Sequence, residues 1–159
     1  MESLRVPKHR APVDIVWMDG ASQSFQVFLA DSAAGHRGPE RLSDLLGGDS
    51  GFVPAFDQSN GPIWLNLNNI AAVRATPQLD PLTDVDTLPT EHDVEVTMSS
   101  GAVFRGLISY VRPDEQSRLT DFLNDGGPFI RLLDGASVVF VNKRHVLRVV
   151  APEWKRGAT

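Results

Sequence analysis

The chain contains one long segment twice. Residues 41–57 read RLSDLLGGDSGFVPAFD and residues 118–134 read RLTDFLNDGGPFIRLLD; they align without a gap at an offset of 77. Arg41/Arg118, Leu42/Leu119, Asp44/Asp121, Leu46/Leu123, Phe52/Phe129 and Asp57/Asp134 are identical pairs. The likeness continues on both sides: residues 62–75 lie on 138–151 at an offset of 76, and residues 13–21 lie on 94–102 at an offset of 81. Self-similarity of this length restricts the chain to two copies of one unit. The drifting offset requires short insertions, which loops accommodate at little entropic cost. One insertion is placed after Gly20/Gly101, so the register of the returning strand stays open by about two residues.

Each unit reads as the same series of elements. Val13, Ile15 and Trp17, like Val94, Val96 and Met98, recur with a period of two, the pattern of a strand with one buried face. Gly20 and Gly101 mark the next turn, where positive φ suits glycine. Phe25 and Phe104 open the returning strands. Leu42, Leu45, Leu46 and their counterparts Leu119, Phe122, Leu123 form an i, i+3, i+4 stripe that predicts a short helix. Pro113, Asp114 and Glu115 suit its first turn in the second copy, and Gly47 or Gly126 suits its end. Three short apolar runs follow: 52–56, 63–65 and 70–75 in the first copy, 129–133, 138–141 and 146–150 in the second.

The predicted fold class is therefore mainly β with short helices (α+β), a tandem duplication of a β-β-α-β-β-β small open barrel with a pseudo-two-fold axis. The expected divisions are a flexible N-terminus at residues 1–10, a first barrel at 11–77, an acidic Pro-rich linker at 78–91, a second barrel at 92–152 and a tail at 153–159, with Trp154 as a docking point. Units of this size are marginal alone, so the copies should pack on each other.

Several of these residues carry a family resemblance. Val94, Val96, Met98 and Gly101, followed by Phe104, Gly106, Leu107 and Ile108, resemble the first half of the Sm motif. Val139 to Lys143 with Val146 and Val149 resembles the second half, and the closing hairpin is similar to that of the bacterial Sm-like RNA chaperone. SH3-like barrels share much of this pattern. The resemblance implies a small β-barrel in which the turn at Asn66 or Asn142 lines a binding site. The chain departs from the Sm pattern in two respects: its helix lies inside the unit instead of before it, and the Asp/Asn pair that holds RNA is absent. The Arg-Leu-Ser/Thr-Asp-x-Leu helix also resembles one in bacterial domains of unknown function.

Charge and composition narrow the function classes. The net charge is −5 and the pI about 5.3. The first unit carries −4 and the linker −4, while the second unit is neutral and holds the dense basic cluster Lys143, Arg144 and His145. An acidic chain lacks the electrostatic footprint of a general nucleic-acid binder, so RNA is disfavoured. The absence of cysteine removes disulfide and thiolate chemistry. His9, His36, His92 and His145 show no metal-ligand spacing, and no metal or cofactor is expected. No apolar run approaches membrane-spanning length, and the first residues show no secretory pattern, so a cytoplasmic location is expected. No phosphate loop or nucleophile elbow is present.

These readings converge on a non-catalytic interaction or adaptor module whose partner is a protein, itself or another. Sm-like RNA binding and small-ligand sensing between the repeats are the alternatives. Lys143, Arg144, His145, Asn142 and Asn66 are the candidate ligand or anion contacts. The ion pairs Arg41/Asp44 and Arg118/Asp121, spaced i, i+3, are expected to be structural. Asp57 and Asp134 stand close enough in sequence to reach the same arginines.

Overall fold

The computed structural model describes residues 8–33, 35, 37–48, 51–81, 89–111 and 118–151. The first half runs β1 (Lys8–Trp17), β2 (Ser22–Ala30), α1 (Leu42–Leu46), β3 (Phe52–Asp57), β4 (Gly61–Asn66) and β5 (Ile70–Ala75). The second runs β6 (Thr90–Met98), β7 (Val103–Tyr110), α2 (Leu119–Asn124), β8 (Phe129–Asp134), β9 (Ser137–Asn142) and β10 (Val146–Val150). Short 3-10 turns at Leu67–Asn69 and Lys143–His145 separate the last two strands of each half. The strand β1 reaches back to Lys8 and β6 to Thr90, so both enter segments expected to be flexible or linking. Trp154 and the helix start at Pro113, Asp114 and Glu115 lie outside the described residues.

Among the described residues the ten strands form a single antiparallel sheet in the order β10-β6-β7-β8-β9-β5-β1-β2-β3-β4. This corrects the expected fold class. The molecule is mostly β, one open sheet with two short helices, and not an α+β pair of small barrels. The reason lies in β5 and β9, which pair from Ala72 opposite Val141 to Ala75 opposite Val138. Four consecutive residues of β5, Ile70 to Val73, are buried, as are Val138 to Val141 of β9. Side chains alternate across a strand, so both faces of these two strands are covered. Such unbroken apolar runs suit interior strands and not barrel edges.

The two faces lead to two cores. Ile70, Val73 and Ala75 of β5 pack with β1–β4 and α1 of the first half, and so do Val138 and Phe140 of β9. Ala71 and Ala72 of β5 pack instead with Val139 and Val141 in the second-half core, beside Val94, Val96 and Ile108. Each half thus lends side chains to its neighbour's core. Each helix caps its own core. Leu42 and Leu46 of α1 are buried, and Leu119, Phe122 and Leu123 of α2 are half-buried.

The hairpins settle the register left open in the sequence. Val13 stands opposite Phe25 and Val94 opposite Gly106, so the offset of 81 continues through the whole hairpin. The counterpart of Phe25 is therefore Gly106 and not Phe104, and the insertion falls after β2 and β7. The turns explain this. Trp17 N donates to Ala21 O and Met98 N to Ala102 O, both at 2.8 Å, with Gly20 at φ +90° and Gly101 at φ +95°. Turns of equal length fix equal registers. Gly106 is needed where it stands, because a Cβ there would lie 2.9 Å from both Leu132 Cβ and the Leu133 carbonyl oxygen. Gly47, by contrast, ends α1 at φ −87° and does not adopt the left-handed form expected of it.

Candidate functional site

The turn Lys143–His145 follows β9 directly, so it lies where the two halves join. Asn142 heads it and is buried at 3% exposure. Its Oδ1 accepts from Arg144 N at 3.0 Å, which caps its own turn. Its Nδ2 donates to Leu67 O at 3.1 Å and Ile70 O at 2.9 Å, both in the first half. The side chain is thereby paired at both ends, as a buried amide requires. His145 Nε2 donates to Asn68 O at 2.6 Å, also in the first half. Lys143 Nζ donates to Asp125 O at 2.8 Å. Two of the three basic side chains are thus engaged with backbone carbonyls of the molecule itself, and Arg144 is exposed. The equivalent Asn66 heads the first-half turn, where its Oδ1 accepts from Asn68 N at 3.1 Å.

The repeated Arg/Asp pairs lie at the helix starts. Asp44 Oδ2 accepts from Arg41 N at 2.8 Å and so caps α1. Arg118 Nε meets Asp121 Oδ2 at 3.3 Å in a surface pair. Asp57 and Asp134 turn elsewhere. Asp57 accepts from Ser59 N and Asn60 Nδ2, and Asp134 lies 3.9 Å from Arg74 across the junction.

Sequence reasoning missed a contact between Asp80 and Arg131, which are 51 positions apart. Asp80, within the expected linker, is 3% exposed. Its Oδ2 receives Arg131 Nε at 2.7 Å, its backbone oxygen receives Arg131 Nη2 at 3.0 Å, and its Oδ1 receives Ser43 N at 2.9 Å. One carboxylate therefore ties β8 of the second half to the first turn of α1. An Arg in a strand at a position where the other copy has Pro54 was the available signal.

The clefts on this surface are small and open. One of about 220 Å³ lies at the junction, lined by Leu46, Gly48, Gly51, Asn68, Pro128 and Phe129 among others. Another of about 290 Å³ lies beside Arg10 and Phe56, where the guanidinium sits 4.0 Å over the ring. Ligand sites usually start near the larger of these volumes. Among the described residues no group of three or more His, Asp or Glu could hold a metal ion. No helix among them is long and apolar enough to cross a membrane.

No family model, curated protein or solved structure matches the chain. The sheet has an edge at each end of its strand order. At one end β4 (GPIWLN) carries no charge and, among the described residues, pairs only with β3; at the other β10 pairs, among the same residues, only with β6. Phe52 stands opposite Asn66 and Pro54 opposite Trp64, so Phe52 and Trp64 share a face. They are 59% and 67% exposed, and Leu147 on β10 is 68% exposed.

Proposed function

We propose that this protein is a non-catalytic interaction module that takes a protein strand onto an open edge of its sheet. One observation carries the reading: β4 is an edge strand without charge that exposes Trp64, on the same face as the exposed Phe52 of the adjoining strand β3. Edge strands present a row of unpaired backbone donors and acceptors, and proteins blunt them with charge, proline or a bulge; β4 has Pro62 but no charge. An uncharged edge with an exposed aromatic pair is suited to strand addition, in which backbone bonds give affinity and side-chain pockets give selectivity. Trp is also the residue type most enriched at binding hot spots. The engagement of Lys143 and His145 in internal contacts favours this reading over anion or RNA binding at the basic turn.

The test is an array of short peptides with alternating apolar and polar residues, probed with labelled protein. A subset should be retained, and Trp64→Lys should reduce retention by at least about tenfold, the scale of losing an aromatic anchor, with an unchanged melting temperature. Three results would sink the proposal. Retention could be indifferent to Trp64→Lys. RNA could be held on filters at low salt and lost on Arg144→Ala. The purified protein could turn over members of a metabolite panel.

A further inference from the structure

We infer that the occupant of the β4 edge is the β10 edge of a second copy of this chain, paired in the register that β9 and β5 use inside the molecule. This rests on the edge reading above and names its partner. The internal junction is head-to-tail: the last strand of the first half pairs with the fourth strand of the second. A contact between two different surfaces leaves one of each kind open, and repetition joins further copies into a ring or a chain according to the rotation per step. The open surfaces are β4, which corresponds to β9, and β10, which corresponds to β5.

The correspondence holds residue by residue. At the offset of 76, Trp64 takes the place of Phe140 and Pro62 that of Val138. Phe140 and Val138 are buried in the neighbouring half's core, whereas Pro62 and Trp64 are exposed. On the other edge Leu147 takes the place of Ala71, which is 2% exposed at the junction. On each edge, therefore, an exposed apolar side chain stands where its counterpart is covered.

Backbone irregularity agrees. The register of β10 on β6 shifts between Val146 and Arg148, and that of β5 on β1 shifts at the equivalent step, from Ile70 to Ala72. A bulge often protects an edge, but the same bulge in β5 does not prevent its pairing with β9. Polar chemistry also has a place: where Asn142 Nδ2 donates to Leu67 O and Ile70 O, Asn66 would face Lys143 O and Val146 O of the second copy. Arg148, standing where β5 has Ala72, would be brought to a half whose net charge is −4. In this arrangement Trp64 stands opposite Val149 as Phe140 stands opposite Val73.

Light scattering of the full chain over a concentration series tests this. The wild type should exceed one chain mass. Trp64→Glu and Leu147→Glu, both at exposed positions, should each be monomeric and still unfold cooperatively, at a melting temperature that no longer depends on concentration. Their equimolar mixture should form a 1:1 dimer and nothing larger, because one intact edge of each kind remains. Since the protein has no cysteine, a mixture of Trp64→Cys and Val149→Cys chains should also cross-link on oxidation, opposed Cα atoms lying within disulfide range. A monomeric wild type overturns the inference, as does a mixture that stays monomeric. So does loss of association in Trp64→Glu alone, which would indicate β4 pairing with itself. If the wild type is monomeric yet retains peptides through Trp64, the edge reading stands and only the second copy is removed; if peptide retention is absent too, both fall.

Discussion

Asn142 and Asn66 hold the same position in the two halves, yet only Asn142 is shown bonding across the junction. Capping a turn is local chemistry, which the side chain and its next two residues suffice to specify. The second role of Asn142 depends on carbonyls 75 and 72 positions away and has no local sign. Asn142→Ala leaves buried groups unpaired, at a cost of about 1–3 kcal/mol for each. It should therefore destabilise the fold by about 3 kcal/mol, and Asn66→Ala by about 1 kcal/mol, on the scale of a lost cap. Urea denaturation measures both, and equal costs would mean that the bonds between halves contribute nothing. Arg131 in a strand was a visible oddity, but its pairing with Asp80 was illegible for the same reason. An acid among prolines reads as a solvated linker, and only the fold brings it against an Arg on β8.

The helices show how much an element's own pattern conveys. The i, i+3, i+4 stripe gives their place and buried side. It does not give what they cover. Phe122 of α2 stacks on Tyr110 of β7 with centroids 4.7 Å apart and planes at 9°, and Tyr110 stacks in turn on His92 of β6. His92 Nε2 and Tyr110 Oη lie 3.2 Å apart. Helices this short are not stable by propensity and persist through packing. Phe122→Ala should therefore cost about 2 kcal/mol, below the range for a fully buried Phe because the ring is half-exposed. Amide exchange in α2 should accelerate while that of β6 and β7 changes little; unchanged exchange in α2 would count against the stack as its anchor. The strands fared differently. Their pattern left the register of the returning strand open by about two residues, and turn length settles it by placing Gly106 opposite Val94.

For the molecule as a whole, the exchange of side chains across β5 and β9 makes the halves interdependent. Without β9 the first core lacks Val138 and Phe140, and without β5 the second lacks Ala71 and Ala72. Large voids and an uncovered apolar edge both destabilise. Fragments 1–81 and 82–159, expressed separately, should lose cooperative unfolding, and the intact chain should melt in one transition followed by circular dichroism. A first fragment that melts cooperatively at the temperature of the intact chain would refute the shared core.

The sequence by itself determined the doubled series of elements, the period-two strands, the helix stripes and the turns, because each rests on interactions between residues a few positions apart. Only the tertiary structure decided that the halves share one sheet, that an Asn and an Asp–Arg pair fasten them, and that uncharged β4 is left at the rim. An apolar run states that a strand must be covered on both faces. Which strand covers it depends on backbone pairing and packing between segments some 70 residues apart, a choice made by the whole chain when it folds.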